Sequence, residues 1–115
     1  MKRYVLTLDL KDDPILIKEY DAWHQRVSSE IKESIKDSGV ESMIIYRLGN
    51  RLCMLMDVID DFTFEKKAKL DAANPKVQEW ENLMLKYQQP TRESSEEGKW
   101  QIMEEIFDLN KRTNG

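Results

Sequence analysis

Residues 40–58 read VESMIIYRLGNRLCMLMDV, two runs of strand-forming residues separated by Leu48, Gly49 and Asn50. Such runs around a glycine-containing break predict a β-hairpin. Apolar residues occupy both sides of its alternation: Met43, Ile45, Met54, Met56 and Val58 on one, Ile44, Tyr46, Cys53 and Leu55 on the other. A sheet built on this hairpin needs cover on both faces.

Working outward, residues 3–10 (RYVLTLDL) alternate, with Tyr4, Leu6, Leu8 and Leu10 on one side, and predict a strand. Asp13 before Pro14 is a helix-start signal, because the carboxylate caps free amides and proline is tolerated at the first helical position. Tyr20, Trp23, Val27, Ile31 and Ile35 then recur at helical spacing up to a stop at Gly39, which predicts one long helix over about residues 14–38. Beyond the hairpin, FTFEKKAKLDAA is helical in composition. Asn74 and Pro75 restart a helix with Val77, Trp80, Met84 and Tyr87 on one face, ended by Pro90. TRESSEEGK (91–99) reads as a loop, WQIMEEIFDL (100–109) as a last strand.

The order is β-α-β-β-α-β, an α+β ferredoxin-like fold whose helices cover one face of an antiparallel sheet. The second apolar face is expected to pack on another copy, giving a dimeric α+β barrel. Residues 1–109 are expected to form a single domain and 110–115 a frayed tail.

The chain of 115 residues suits one core. Its 18 basic residues are scattered among 22 acidic ones, net charge −4, so no positive stripe offers itself to nucleic acid. Cys53 is the only cysteine and His24 the only histidine, too few for an ordinary structural zinc site, and Asp57, Asp60 and Asp61 lack calcium-loop spacing. No glycine-rich phosphate loop or nucleophile elbow occurs, and no cofactor is expected. No stretch has the length of a signal peptide or a membrane span, so a cytoplasmic protein without membrane partners is expected.

His24 is the group best suited to moving a proton, since an imidazole titrates at about pH 6.5 in model peptides. Tyr20 stands one turn before it on the same face. The residues alone leave two roles open, a hydrogen-bonded histidine at the helix margin or a proton-transfer group. Trp80 likewise suits core packing or stacking on a sugar ring. Methionine in the hairpin is adaptable core filler.

Together, EYDAWH with Glu30 downstream, DSGVESMIIYRLGNRL, NPKVQEWENLM and the closing MEEIFDL resemble the L-rhamnose mutarotase family, over about residues 3–109. KAKLDAANPKVQEWE and YRLGNRL look closest to its L-fucose mutarotase branch. The resemblance implies a homodimeric enzyme that interconverts the α and β anomers of L-fucose or L-rhamnose without a cofactor. It makes His24 the proton donor and Tyr20, Tyr46 and Trp80 sugar-binding residues. Glu81 stands where the family has a second tryptophan, Met43 where it has another sugar-contacting tyrosine, and Ser28 and Ser29 where it has Trp-Pro, which implies a changed sugar preference. A non-catalytic ligand-binding module of the same fold is the alternative, and a small dimeric monooxygenase a third class.

Overall fold

The structure is a computed structural model and describes residues 2–89 and 100–110. The strand β1 (Lys2–Leu10) pairs antiparallel with the second hairpin strand, Arg51–Val58, from Lys2 opposite Val58 to Asp9 opposite Arg51. The first hairpin strand, β2 (Val40–Leu48), lies on the far edge of that strand, which is β3. Gly49 takes φ 60° in the tight turn between Leu48 and Arg51, the place where a hairpin turn of this kind favours glycine. One extra residue, Glu41, is accommodated as a bulge between Val40 and Ser42.

Two short strands complete the free edge of β1. Gln88 and Gln89 (β4) pair with Leu10 and Asp9, and Gln101 and Ile102 (β5) with Thr7 and Leu6. The order β2-β3-β1-β4, with β5 also on β1, is the expected ferredoxin-like one.

Alternation divides the side chains between two faces. Leu6, Leu8 and Leu10 with Leu52, Met54, Met56 and Val58 are buried beneath the helices. The face is covered by α1 (Pro14–His24), α2 (Ser29–Asp37), α3 (Phe64–Ala72) and α4 (Pro75–Leu85). Three starts match their chemistry: Asp13 Oδ1 accepts from the Ile15 and Leu16 amides, Thr63 Oγ1 from Lys66 and Asn74 Oδ1 from Lys76.

The expected helix over 14–38 is two helices. It stops at His24, and Ser28, in an extended conformation, accepts from the Ile31 amide to begin the next. Apolar spacing survives such a break because both helices face the same sheet, so periodicity alone concealed it. Ser28 and Ser29 are exposed and start α2, a structural role that accounts for them without reference to a ligand. The helix carrying Trp80 ends at Leu85, which leaves Tyr87 beyond it. The last strand is shorter than its alternation suggests. After Met103 donates to the Val5 carbonyl the chain leaves the sheet with Ile106, Phe107 and Leu109 at 92%, 77% and 82% exposure. Alternation marks a segment able to pair but does not fix where pairing stops, since β1 still runs on through Tyr4 and Arg3 to Lys2 beyond this point. The end at Pro90, the loop over 91–99 and the tail from 111 lie outside the described residues.

Gly39 links α2 to β2 at φ 99°, and a Cβ there would stand 3.1 Å from Ile59 Cγ1. Gly39→Ala should therefore lower stability by about 1–3 kcal/mol through backbone strain and crowding, measured as a lower urea midpoint at unchanged m-value.

Candidate functional site

α1 places Tyr20 and His24 one turn apart, with ring centroids 4.2 Å apart at 34°. α4 brings Trp80 to the imidazole from another direction, 5.3 Å between centroids at 70°. The half-buried imidazole thus has an aromatic ring on two sides.

His24 Nδ1 lies 2.9 Å from the Tyr20 carbonyl oxygen. A carbonyl can only accept, so Nδ1 carries a hydrogen and donates it. That fixes the tautomer and leaves Nε2, which has no hydrogen-bond partner among the described residues, for a ligand. The ring can give a proton from Nε2 or take one there without breaking its anchor, because Nδ1–H is present in both charge states.

The Tyr20 ring is buried at 3% exposure, and its hydroxyl has no hydrogen-bond partner among the described residues. Burial, then the nearby negative charge of Asp21, pushes its phenol above the ordinary tyrosine range. Tyr20 therefore stays protonated at neutral pH and can donate a hydrogen bond.

Behind these groups lies a satisfied network. Trp23 Nε1–H donates to the Tyr87 hydroxyl (3.0 Å), which donates to Glu19 Oε1 (3.0 Å). Lys86 Nζ stands 3.8 Å from the same carboxylate oxygen. The Tyr87 ring is buried and meets Tyr20 edge-on at 6.2 Å. Arg47 of β2 reaches α1 with a two-pronged contact to Asp21, at 2.9 and 2.6 Å. These contacts hold α1 against the sheet and the hairpin.

The other expected site residues divide. Met43 and Ile45 lie on the helix side of β2, partly buried against the core. Tyr46 points to the opposite face, across from Cys53, and is 58% exposed. Glu81 is on the exposed side of α4, where Gln78 Nε2 approaches its carboxylate at 3.4 Å. Glu30 is exposed in the first turn of α2. The structure thus gathers Tyr20, His24 and Trp80, keeps Met43 on their side of the sheet, and does not bring Tyr46 to the imidazole.

Sequence reasoning missed the pairing of Trp23 with Tyr87 and of Arg47 with Asp21. Partners 64 and 26 positions apart leave no local spacing signal. Among the described residues no three His, Cys, Asp or Glu side chains gather as metal ligands, and no helix is long and apolar enough to cross a membrane.

Comparison with known proteins gives concordant matches. The family model described as L-rhamnose mutarotase matches residues 3–109. An L-fucose mutarotase of Xanthomonas campestris is 38% identical over 112 residues, covering 96% of this chain and 90% of the relative. The crystal structure of an L-rhamnose mutarotase from Formosa agariphila superposes with a TM-score of 0.70 at 21% identity, covering 95% of this chain and 99% of the other. Tetracenomycin F2 cyclase of Streptomyces glaucescens, a type-II polyketide cyclase, shares the fold at a TM-score of 0.57 and 17% identity, covering 97% of this chain and 100% of the other.

The Tyr87 hydroxyl is the hinge of this part-buried network. Tyr87→Phe should cost about 1–3 kcal/mol, since it strands the Trp23 N–H and removes a donor from Glu19. The check is urea denaturation followed by tryptophan fluorescence.

Proposed function

Because the chain belongs to the L-rhamnose mutarotase family, we propose that this sugar mutarotase acts on a deoxyhexose, L-fucose in preference to L-rhamnose. The observation that carries the site assignment is the His24 ring, anchored through Nδ1 with Nε2 left open beside the Tyr20 phenol and the Trp80 indole. Support for L-fucose comes from the 38% identity to an L-fucose mutarotase and from the likeness of KAKLDAANPKVQEWE and YRLGNRL to that branch, while Met43 and Glu81 in place of aromatic groups speak for a changed sugar preference.

Mutarotation needs two proton movements and no change in oxidation state. His24, protonated at Nε2, gives its proton to the ring oxygen while the proton of the anomeric hydroxyl passes to bound water. The bond from C1 to the ring oxygen breaks and C1 becomes an aldehyde. Rotation about C1–C2 presents the other face of the carbonyl to the ring hydroxyl. Reclosure returns the proton to Nε2, and water reprotonates the anomeric oxygen. Tyr20 donates a hydrogen bond to a sugar oxygen, Trp80 lies against the apolar side of the ring, and Met43 forms part of the wall. Glu81 is assigned to the rim, where it meets substituents rather than the reacting atoms.

The protein works as a cytoplasmic homodimer in this reading. On the open sheet face Val5, Leu55 and Ile44 form one cross-strand row and Thr7, Cys53 and Tyr46 the next. The rows are bracketed by the ion pairs Arg3–Asp57 and Arg51–Asp9. An apolar stripe with charged ends suits a second copy turned end for end. Tyr46 is accordingly assigned to assembly rather than to the sugar.

Anomer exchange followed by NMR should be faster than in buffer for L-fucose and, to a smaller degree, L-rhamnose. Unchanged exchange with saturable binding would support the ligand-binding alternative instead. His24→Ala should remove about 10²-fold or more of the acceleration at an unchanged melting temperature. Leu55→Glu should turn a dimer into a monomer in light scattering, and a monomeric parent would overturn the assembly reading.

A further inference from the structure

Gln88 is buried at 6% exposure, and its side-chain amide has no hydrogen-bond partner among the described residues. The other buried polar side chain among them, Ser38, is satisfied by donating to the Ile35 carbonyl. An amide can donate twice and accept twice, and burying it without partners is costly. Its place in the sheet tells where it points. Gln88 stands directly opposite Leu10, and side chains opposite one another on paired strands share a face. Leu10 belongs to the core group with Tyr20, against which Trp23, Trp80 and Trp100 pack. The amide therefore enters the helix side of the sheet, as do the partnerless Tyr20 hydroxyl and the His24 imidazole.

Resting on the mutarotase reading, we propose that Gln88 is a specificity-determining residue whose side-chain amide hydrogen-bonds a pair of neighbouring hydroxyls on the pyranose ring, away from the anomeric carbon. An amide presents a donor and an acceptor side by side, the complement of a vicinal diol whose oxygens each can give and take a hydrogen. Tyr20 supplies only one hydroxyl and Trp80 a flat apolar surface, so neither can read the configuration of two adjacent carbons. Gln88 can, because inverting one carbon moves one oxygen out of its reach. A site built this way rejects a sugar lacking a hydroxyl more strongly than an apolar wall would, since its buried amide is then left unpaired.

The test compares the parent with Gln88→Met, close in size but without the amide, by NMR exchange rates over a range of sugar concentrations. L-fucose and its singly deoxygenated analogues at C2, C3 and C4 are the substrates. The expected result is a KM for L-fucose raised about tenfold at a kcat within about twofold, with the melting temperature equal or higher because a partnerless polar group has gone. For the analogue that lacks the contacted hydroxyl, parent and variant should differ far less. Gln88→Leu, smaller and also without an amide, should repeat the pattern. Unchanged KM values for every sugar, or a lowered melting temperature with the same KM increase for all analogues, would overturn the proposal by making Gln88 structural. A parent that accelerates no sugar would overturn the mutarotase reading and Gln88's role with it, whereas an active parent with indifferent variants sinks Gln88 alone.

Discussion

The unbroken antiparallel match of β1 with β3 is the constraint from which the rest of the molecule follows. It spans eight residue pairs, and a slip of one residue would turn every side chain of β1 to the other face. In the observed phase Leu6, Leu8 and Leu10 lie with Leu52, Met54, Met56 and Val58 under the helices. That surface gives Tyr20 and Met84 something to pack on, which sets the positions of α1 and α4. The imidazole and the indole of the site meet only because both helices are seated on the same phase of the sheet.

The polar groups on the helix side of the sheet are of two kinds, and the contrast suits the proposed site, which has to be both firm and receptive. Trp23, Tyr87 and Glu19 satisfy one another, and Arg47 grips Asp21, so the end of α1 is held from two directions. Tyr20 and Gln88 are more deeply buried than Trp23 or Glu19, yet their polar ends are without protein partners among the described residues. In the proposed site, locked supports behind unsatisfied groups keep binding from spending free energy on ordering side chains. The small chemical demand of opening and closing a hemiacetal fits such an apparatus, since one anchored proton carrier and a water suffice.

Much of the fold was legible because its signals are local. The alternation of RYVLTLDL, the turn at Gly49 and the Asp13-Pro14 and Asn74-Pro75 starts each act within a few residues, and each matches an observed element. What escaped depended on contacts made at a distance. The break before Ser28 is invisible to apolar spacing because both helices serve one surface. The point where the closing strand leaves β1 is likewise not written in its alternation, because β1 continues to Lys2 beyond it. In the site, the EYDAWH spacing gave the Tyr20–His24 stack, and the approach of Trp80 followed the resemblance. Tyr46, which the resemblance places among the sugar-binding residues, lies on the other face of β2 from Ile45, because adjacent strand residues face opposite ways. Gln88 went unremarked because nothing in KYQQP distinguishes a buried glutamine from an exposed one.

The same alternation bears on how such a protein can diverge. In β2 the side chains facing the helices and those facing outward are interleaved one by one, with the extra residue at Glu41 setting the phase. Substitutions at Met43 or Ile45 alter the helix side of the sheet while Ile44 and Tyr46 stay as they are. Selection on substrate and selection on the outer surface thus act on separate letters of one short word. An insertion or deletion between Ser42 and Leu48 would exchange the two sets at once. Relatives of this chain should therefore vary freely by substitution along β2 while keeping its length.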